Sequence, residues 1–193
     1  LSTLSSKNGF WRKQEDFLRG NQLYNKKLGI IGFGRIGSNV YKYSKAFGMK
    51  VYAYDPYKVK NLKKLKIYKK LNDLIISSDI ILLSIHLNDQ TKNLINYSYF
   101  KKMKKEAILV NSSRGEVLNE DDLIKALKSK KIKHAALDVI QKEQQSDIAN
   151  HKLVKYSKKY KNLTITPHVA GLTYESEYIA ANIIYKKLIN IAK

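Results

Sequence analysis

A chain of 193 residues and 22.3 kDa has room for one large domain or two small ones, and folding at this size buries roughly 70% of the surface exposed by the unfolded chain. Its 44% hydrophobic and 27% charged residues are those of a soluble globular protein, and the absence of cysteine excludes a disulfide framework, a thiol nucleophile and Cys-ligated zinc or iron–sulfur sites. No apolar run approaches the ~20 residues of a membrane span, and no signal peptide is visible, so the cytoplasm is the expected compartment. The first residue is Leu, which suggests a piece of a longer chain.

The net charge of +21 raises the question of a polyanionic partner. Only four of the 37 basic residues are Arg (Arg12, Arg19, Arg35, Arg114), and the Lys residues are spread along the whole chain beside many Asn, Ile and Tyr. Nucleic-acid readers favour the bidentate fork of Arg. The surplus therefore reads as AT-rich coding bias that also attracts small anionic ligands, and nucleic acid and membrane surfaces are not expected partners.

In chain order, a polar leader over residues 1–25 carries Phe10, Trp11 and Phe17 and is expected to be partly helical. Apolar, β-rich runs follow at 28–32, 50–54, 80–85, 107–111, 134–139 and 163–166, alternating with helical patterns near 35–48, 71–77, 97–104, 119–129 and 173–192. The helix at 119–129 opens on Asn119 as cap, has Glu120, Asp121 and Asp122 in its first turn and ends in Lys, which complements the macrodipole. Pro56 and Pro167 sit just past expected strands, where a missing N–H costs nothing. Continuous apolar strands separated by helices imply a parallel sheet covered on both faces, an α/β doubly wound fold of Rossmann type. The expected division is an arm over 1–25 and one α/β domain over 26–193.

Gly32-Phe33-Gly34-Arg35-Ile36-Gly37 lies where the first strand turns into the first helix, the context that gives G-x-G-x-x-G its meaning. Gly32 allows the tight turn, Gly34 lets a pyrophosphate approach the backbone, and Gly37 lets the helix pack on the strand. The N–H groups of Arg35 and Ile36 then face the phosphates, with the helix dipole behind them. Asp55, 18 residues past Gly37 at the end of the second strand, is placed to accept ribose hydroxyls and to repel a 2′-phosphate. NAD is the expected cofactor, although Lys58 and Lys60 soften the discrimination against NADP.

Three later strand ends carry polar groups where ligands bind in open α/β sheets: Asn111-Ser112-Ser113-Arg114-Gly115-Glu116, Leu137-Asp138-Val139 with Glu143 beyond it, and Thr166-Pro167-His168-Val169-Ala170-Gly171. An Arg, a Glu and a His at three strand mouths can converge on one ligand.

These motifs, in this order, together with the leader Phe10-Trp11-Arg12, resemble the nucleotide-binding domain of the D-isomer-specific 2-hydroxyacid dehydrogenases, the family of phosphoglycerate, glycerate and D-lactate dehydrogenases. The resemblance implies hydride transfer between nicotinamide and a 2-hydroxy or 2-oxo acid. It makes Arg114 the substrate-binding residue, His168 the acid–base and Glu143 the acid that orients His168 and favours its imidazolium form. It sets Asp138 toward the nicotinamide carboxamide, lines the cofactor cleft with Ser112, Ser113, Thr91 and Gly171, and calls for no metal. It also implies a homodimer formed through this domain and a substrate domain outside this sequence. The stretch 166–177 leans toward phosphoglycerate-dehydrogenase-like members. Two departures stand out. Gln144 occupies the position after Glu143 where the family has Pro, and alignment on Thr91 puts Ser84 where the family has His and His86 where it has Pro, so His86 reads as a cleft residue rather than a second base. A corepressor-like NAD(H)-binding regulator and a polyanion-binding protein are the alternatives from other functional classes.

Overall fold

The computed structural model describes residues 6–11, 19–58, 65–144 and 147–192. Among these, seven strands form one sheet: β1 (Lys27–Ile31), β2 (Lys50–Tyr54), β3 (Lys66–Ile67), β4 (Ile80–Leu83), β5 (Ile108–Asn111), β6 (His134–Leu137) and β7 (Leu163–Ile165). Their order is β3-β2-β1-β4-β5-β6-β7 and every pairing is parallel. The six expected strands are all present. The first ends one residue early because Gly32 turns the chain out of the sheet at φ +90°.

The helices are α1 (Arg35–Ala46), α2 (Leu71–Ser77), α3 (Tyr97–Phe100), α4 (Glu120–Lys128), α5 (Lys152–Lys159) and α6 (Tyr174–Ala192). α4 starts as its sequence predicts, with the Asn119 side chain accepting the Asp122 N–H at 3.0 Å. The helix expected over 97–104 is a single turn, capped by Asn96 and continued by turns. α5, the edge strand β3 and the 3₁₀ turns Gly115–Val117 and Ile148–Asn150 are additions to the sequence reading. In the leader, Ser6 and Lys7 are helical and Asn8-Gly9 turns. Phe10 and Trp11 are exposed, at 44% and 77%, whereas Phe17, like Lys60, lies outside the described residues.

Alternation along the strands sends side chains to two faces. One face packs Ile31, Ile81, Leu83, Leu109, Ala135 and Leu137 against α2, α4 and α5. The other buries Leu28, Ile30, Val51 and Ala53 under Val40 and Tyr41 of α1. Full coverage of both faces holds only around β1 and β2. On β5 to β7 the second face carries Ile108, Val110, His134 and Ala136 half-buried and Thr164 exposed. α6 is exposed along almost its whole length, including Tyr178, Ile179, Ile184 and Leu188.

The strand order reverses direction between β1 and β4. In such sheets the crevice for a ligand opens beyond the C-terminal ends of these two strands.

Candidate active site and cofactor cleft

The glycine loop is built as its spacing requires. A Cβ on Gly32 would overlap the backbone of Ser84 in the neighbouring strand-end loop, and one on Gly37 would overlap the Gly32 carbonyl. A Cβ on Gly34 would meet nothing within 4 Å, so the backbone there stays open to a ligand. α1 begins at Arg35, and the N–H groups of its first turn have no partner within the helix. Asp55 is fixed rather than dangling: its Oδ2 accepts the Phe33 N–H and its Oδ1 the Tyr57 N–H, each at 2.9 Å. Each oxygen keeps a lone pair for a hydroxyl. Lys58 reaches across to the Phe33 carbonyl at 2.5 Å, and Asp55, Lys58 and Lys69 border a cavity of about 280 Å³.

A cavity of about 440 Å³ runs beyond β1, β4 and β5, lined by Gly34, Arg35, Ile36, Ser84–Leu87 and Ser112–Arg114. His86 thus faces the cleft. Thr91 does not line it; its hydroxyl donates to the His86 carbonyl at 2.7 Å and accepts the Asn88 N–H at 2.8 Å, closing the loop that presents His86. Gly171 is exposed and lines neither this cavity nor the next. Its carbonyl accepts the Ser176 hydroxyl at the approach to α6.

A second cavity, about 600 Å³, lies at the ends of β6 and β7 and is lined by Asp138, Glu143, Gln144 and His168 together with apolar residues of α5 and its approach. His168 Nδ1 meets Glu143 Oε1 at 2.7 Å. With Nδ1–H donating to the carboxylate, Nε2 is the nitrogen left for proton exchange. His168 has φ +53°, a left-handed backbone that non-glycine residues rarely adopt. Asp138 holds that turn. Its carbonyl accepts the His168 N–H at 2.9 Å, its Oδ1 accepts the Thr166 hydroxyl at 2.5 Å and the Val169 N–H at 3.0 Å, and its Oδ2 accepts the Ala170 N–H at 2.9 Å. Burial pushes the Asp138 carboxyl up, but these hydrogen bonds, with the nearby His168 imidazole, outweigh it and hold the group below its ordinary value.

Arg114 belongs to the first cavity, and its Nη1 donates to the Ser113 carbonyl at 2.6 Å. The structure brings its loop against the Glu143 loop by backbone packing: a Cβ on Gly115 would overlap the Ile140 carbonyl group. Among the described residues no cluster of three or more His, Asp or Glu is placed to hold a metal ion, and no helix is long and apolar enough to cross a membrane.

The model of the D-isomer specific 2-hydroxyacid dehydrogenase NAD binding domain matches residues 2–170. This chain belongs to that family. It is 38% identical over 176 residues to a hydroxypyruvate reductase of Thermotoga maritima, covering 91% of this chain and 55% of that protein. It is 36% identical over 190 residues to a D-3-phosphoglycerate dehydrogenase of Methanocaldococcus jannaschii, covering 97% and 34%. The NAD-complexed D-isomer specific 2-hydroxyacid dehydrogenase from Lactobacillus delbrueckii ssp. bulgaricus superposes with a TM-score of 0.84 at 32% identity, covering 98% of this chain and 59% of that one. The chain thus spans roughly a third to three-fifths of the length of these relatives.

Within this dehydrogenase domain, three residues shape the site without having been singled out for it by sequence. Asn111 is fully buried; its Oδ1 accepts the N–H and hydroxyl of Ser113 at 3.0 and 2.8 Å, and its Nδ2 donates to the Arg114 carbonyl at 2.9 Å, so it folds the loop that presents Arg114. Gly115 and Glu120 tie that loop to the next. Asn111 had a signal, a polar residue ending an apolar strand, because a buried amide needs partners.

Proposed function

We propose that the chain is the nucleotide-binding portion, over residues 26–193, of an NAD-dependent D-2-hydroxyacid dehydrogenase. The observation that carries the reading is the His168–Glu143 pair at 2.7 Å, set on a clamped turn beside a glycine-loop cleft that a dinucleotide fits. Open backbone at Gly34, first-turn N–H groups on α1 that have no partner within the helix, and a fixed Asp55 match pyrophosphate and adenosine ribose. Bound NAD supplies the hydride acceptor for C2 of a 2-hydroxy acid, or as NADH the donor to a 2-oxo acid.

The protein's own part is position and proton transfer. The planar guanidinium of Arg114 binds the substrate carboxylate and polarises the 2-oxygen. His168 Nε2 takes the hydroxyl proton in oxidation and returns it in reduction. Glu143 fixes the ring orientation by accepting from Nδ1. Ser112 and Ser113 line the cleft, and Asp138 presents the remaining lone pair of Oδ2 toward the carboxamide while its other contacts hold the His168 turn. Thr91 acts through the loop it closes, and Gly171, which lines neither cavity, takes no direct part in this reading.

A small anionic 2-hydroxy acid, 3-phosphoglycerate among the candidates, suits the basic cleft. A cytoplasmic homodimer formed through this domain completes the proposal; the exposed Phe10 and Trp11 and the half-buried apolar residues of β5 and β6 support it. The test is twofold. NADH titration of the chain, followed by fluorescence, is expected to show saturable binding. With the chain joined to a relative's substrate domain, His168→Ala is expected to lower kcat by ~10²–10⁴-fold. Binding without turnover in any such form would favour the regulatory alternative, and near-normal turnover of the variant would remove His168 from the chemistry.

A further inference from the structure

Glu120, the first residue of α4, buries a carboxylate that has no part in cofactor binding or proton transfer; its side chain is 1% accessible. A charge taken out of water at this depth requires partners. Oε1 accepts the backbone N–H of Gln141 at 2.7 Å. Among the described residues Oε2 has no hydrogen-bond partner; it faces His151 Nε2 at 3.3 Å and Lys152 Nζ at 3.7 Å, both at the start of α5. His151 Nδ1 accepts the Leu153 N–H at 3.3 Å, which leaves the neutral ring's proton on Nε2, toward Glu120. Glu120 therefore joins three elements: its own helix, the loop after β6 and the start of α5.

The loop after β6 is the one that carries Glu143. Besides the Glu120 bond, Gln141 Nε2 donates to the Leu118 carbonyl at 2.7 Å, and the Lys142 N–H points to Glu116 Oε1 at 3.4 Å. Gly115 packs on the Ile140 carbonyl. Apart from a longer contact of Gln141 Nε2 to Asn93 Oδ1 at 3.4 Å, these anchors come from residues 115–120, the segment that immediately follows Arg114. Lys142 then turns with φ +55°, and Glu143 meets His168.

We infer that Glu120 is a positioning residue for the Glu143–His168 pair, acting through the Gln141 N–H, and that it joins the Arg114 and Glu143 loops into one unit. The inference rests on the proposed reading of that pair as the acid–base couple. An acid in the first turn of a helix is favourable in any case, and a Glu120 that served only the helix would affect stability alone.

The tautomer of His168 separates the two roles. Long-range ¹H–¹⁵N spectra of the chain, at a pH where the ring is neutral, report which ring nitrogen carries the proton. The wild-type chain is expected to hold the proton on Nδ1 of His168 and on Nε2 of His151. Glu120→Ala removes the acceptor for Gln141 and is expected to give a mixed His168 tautomer, with the Gln141 amide exchanging about tenfold faster or more. Glu120→Gln keeps an acceptor oxygen and is expected to restore the Nδ1–H form. Glu120→Asp, which withdraws the carboxylate by one methylene, serves where the Ala variant does not fold and is expected to give the mixed tautomer. An unchanged Nδ1–H tautomer in the folded Ala and Asp variants would overturn the inference. Glu143→Ala, which removes the acceptor for Nδ1, is the control: if it leaves the His168 tautomer as in the wild type, the failure lies with the pair and not with Glu120.

Discussion

Replacing Asp138 by Asn is the most searching single change, because it keeps the shape of the side chain and alters only its charge and hydrogen-bonding capacity. Asp138 is 8% accessible and its carboxylate accepts from the Thr166 hydroxyl, the Val169 N–H and the Ala170 N–H. In the Asn variant the amide oxygen can serve Thr166 and Val169, but the amide NH₂ is then set against the Ala170 N–H, donor against donor. Bonds to a charged acceptor are each worth about 1.5–3 kcal/mol, and the two that remain become neutral ones of roughly half that strength. The donors are partly solvated, so water recovers part of the loss, and the expected cost is about 2–4 kcal/mol. In a domain of this length that lowers Tm by about 4–16 °C.

The pH dependence has a definite sign. The Asp138 carboxyl is held below its ordinary value in the folded state, so its stabilisation is fully present above the unfolded value of about 3.9 and is lost as pH falls through the folded value. The stability gap between wild type and variant is therefore expected to be constant from about pH 6 to 8 and to close below about pH 4. Urea unfolding at several pH values measures it. An Asn variant with unchanged stability at neutral pH, or a gap that persists undiminished to about pH 2, would refute the clamp. Losing the clamp also frees His168 from a left-handed conformation that costs about 1–3 kcal/mol. The variant should accordingly lose the Glu143 contact.

Three further outcomes follow from the same geometry. In the proposed reading Asp55 sets a carboxylate where a 2′-phosphate would lie, so NADH is expected to bind about ten- to a hundredfold more tightly than NADPH, and equal dissociation constants in paired titrations would point to Lys58 and Lys69 as the deciding groups. Gly34→Ala should leave Tm unchanged but weaken NADH binding, whereas Gly37→Ala, whose Cβ would overlap the Gly32 carbonyl, should cost about 1–3 kcal/mol of stability; thermal unfolding and cofactor titration on both variants check the contrast. Light scattering at about 0.15 M salt should find a dimer that deletion of residues 1–20 weakens, and a monomer unchanged by that deletion would reject the proposed assembly.

Sequence was most informative where the interactions are local. The glycine loop, the Asn119 cap and the position of Asp55 depend on neighbours in the chain or on one βαβ unit, and each is formed as its spacing predicts. The loss of legibility begins with short elements. α5 buries only Leu153 and Tyr156 of its own eight residues, a stripe too thin to stand out among five charged or polar neighbours, and its cap is His151 rather than a usual capping residue. β3 has two residues and exists because β2 offers it an edge.

The site's own mechanics are the least local part. Asn119-Glu120-Asp121-Asp122 read as a capped helix start with three interchangeable acids, and so far as the helix dipole is concerned they are interchangeable. They differ because the loop after β6 arrives over one of them: Gln141 lies 21 residues downstream of Glu120, and nothing in the local sequence says which acid it will meet. Asp138 likewise takes three donors from 28 to 32 residues away. A carboxylate at a strand mouth reads naturally as a ligand contact, yet here most of its capacity is committed to holding His168 in a backbone conformation that no local preference would select. Arg114, Glu143 and His168 are recognisable in the sequence as residue types suited to the proposed chemistry. What holds them in place is a second set of residues, Asn111, Gly115, Glu120 and Asp138, whose contacts exist only once the sheet has brought three strand ends side by side.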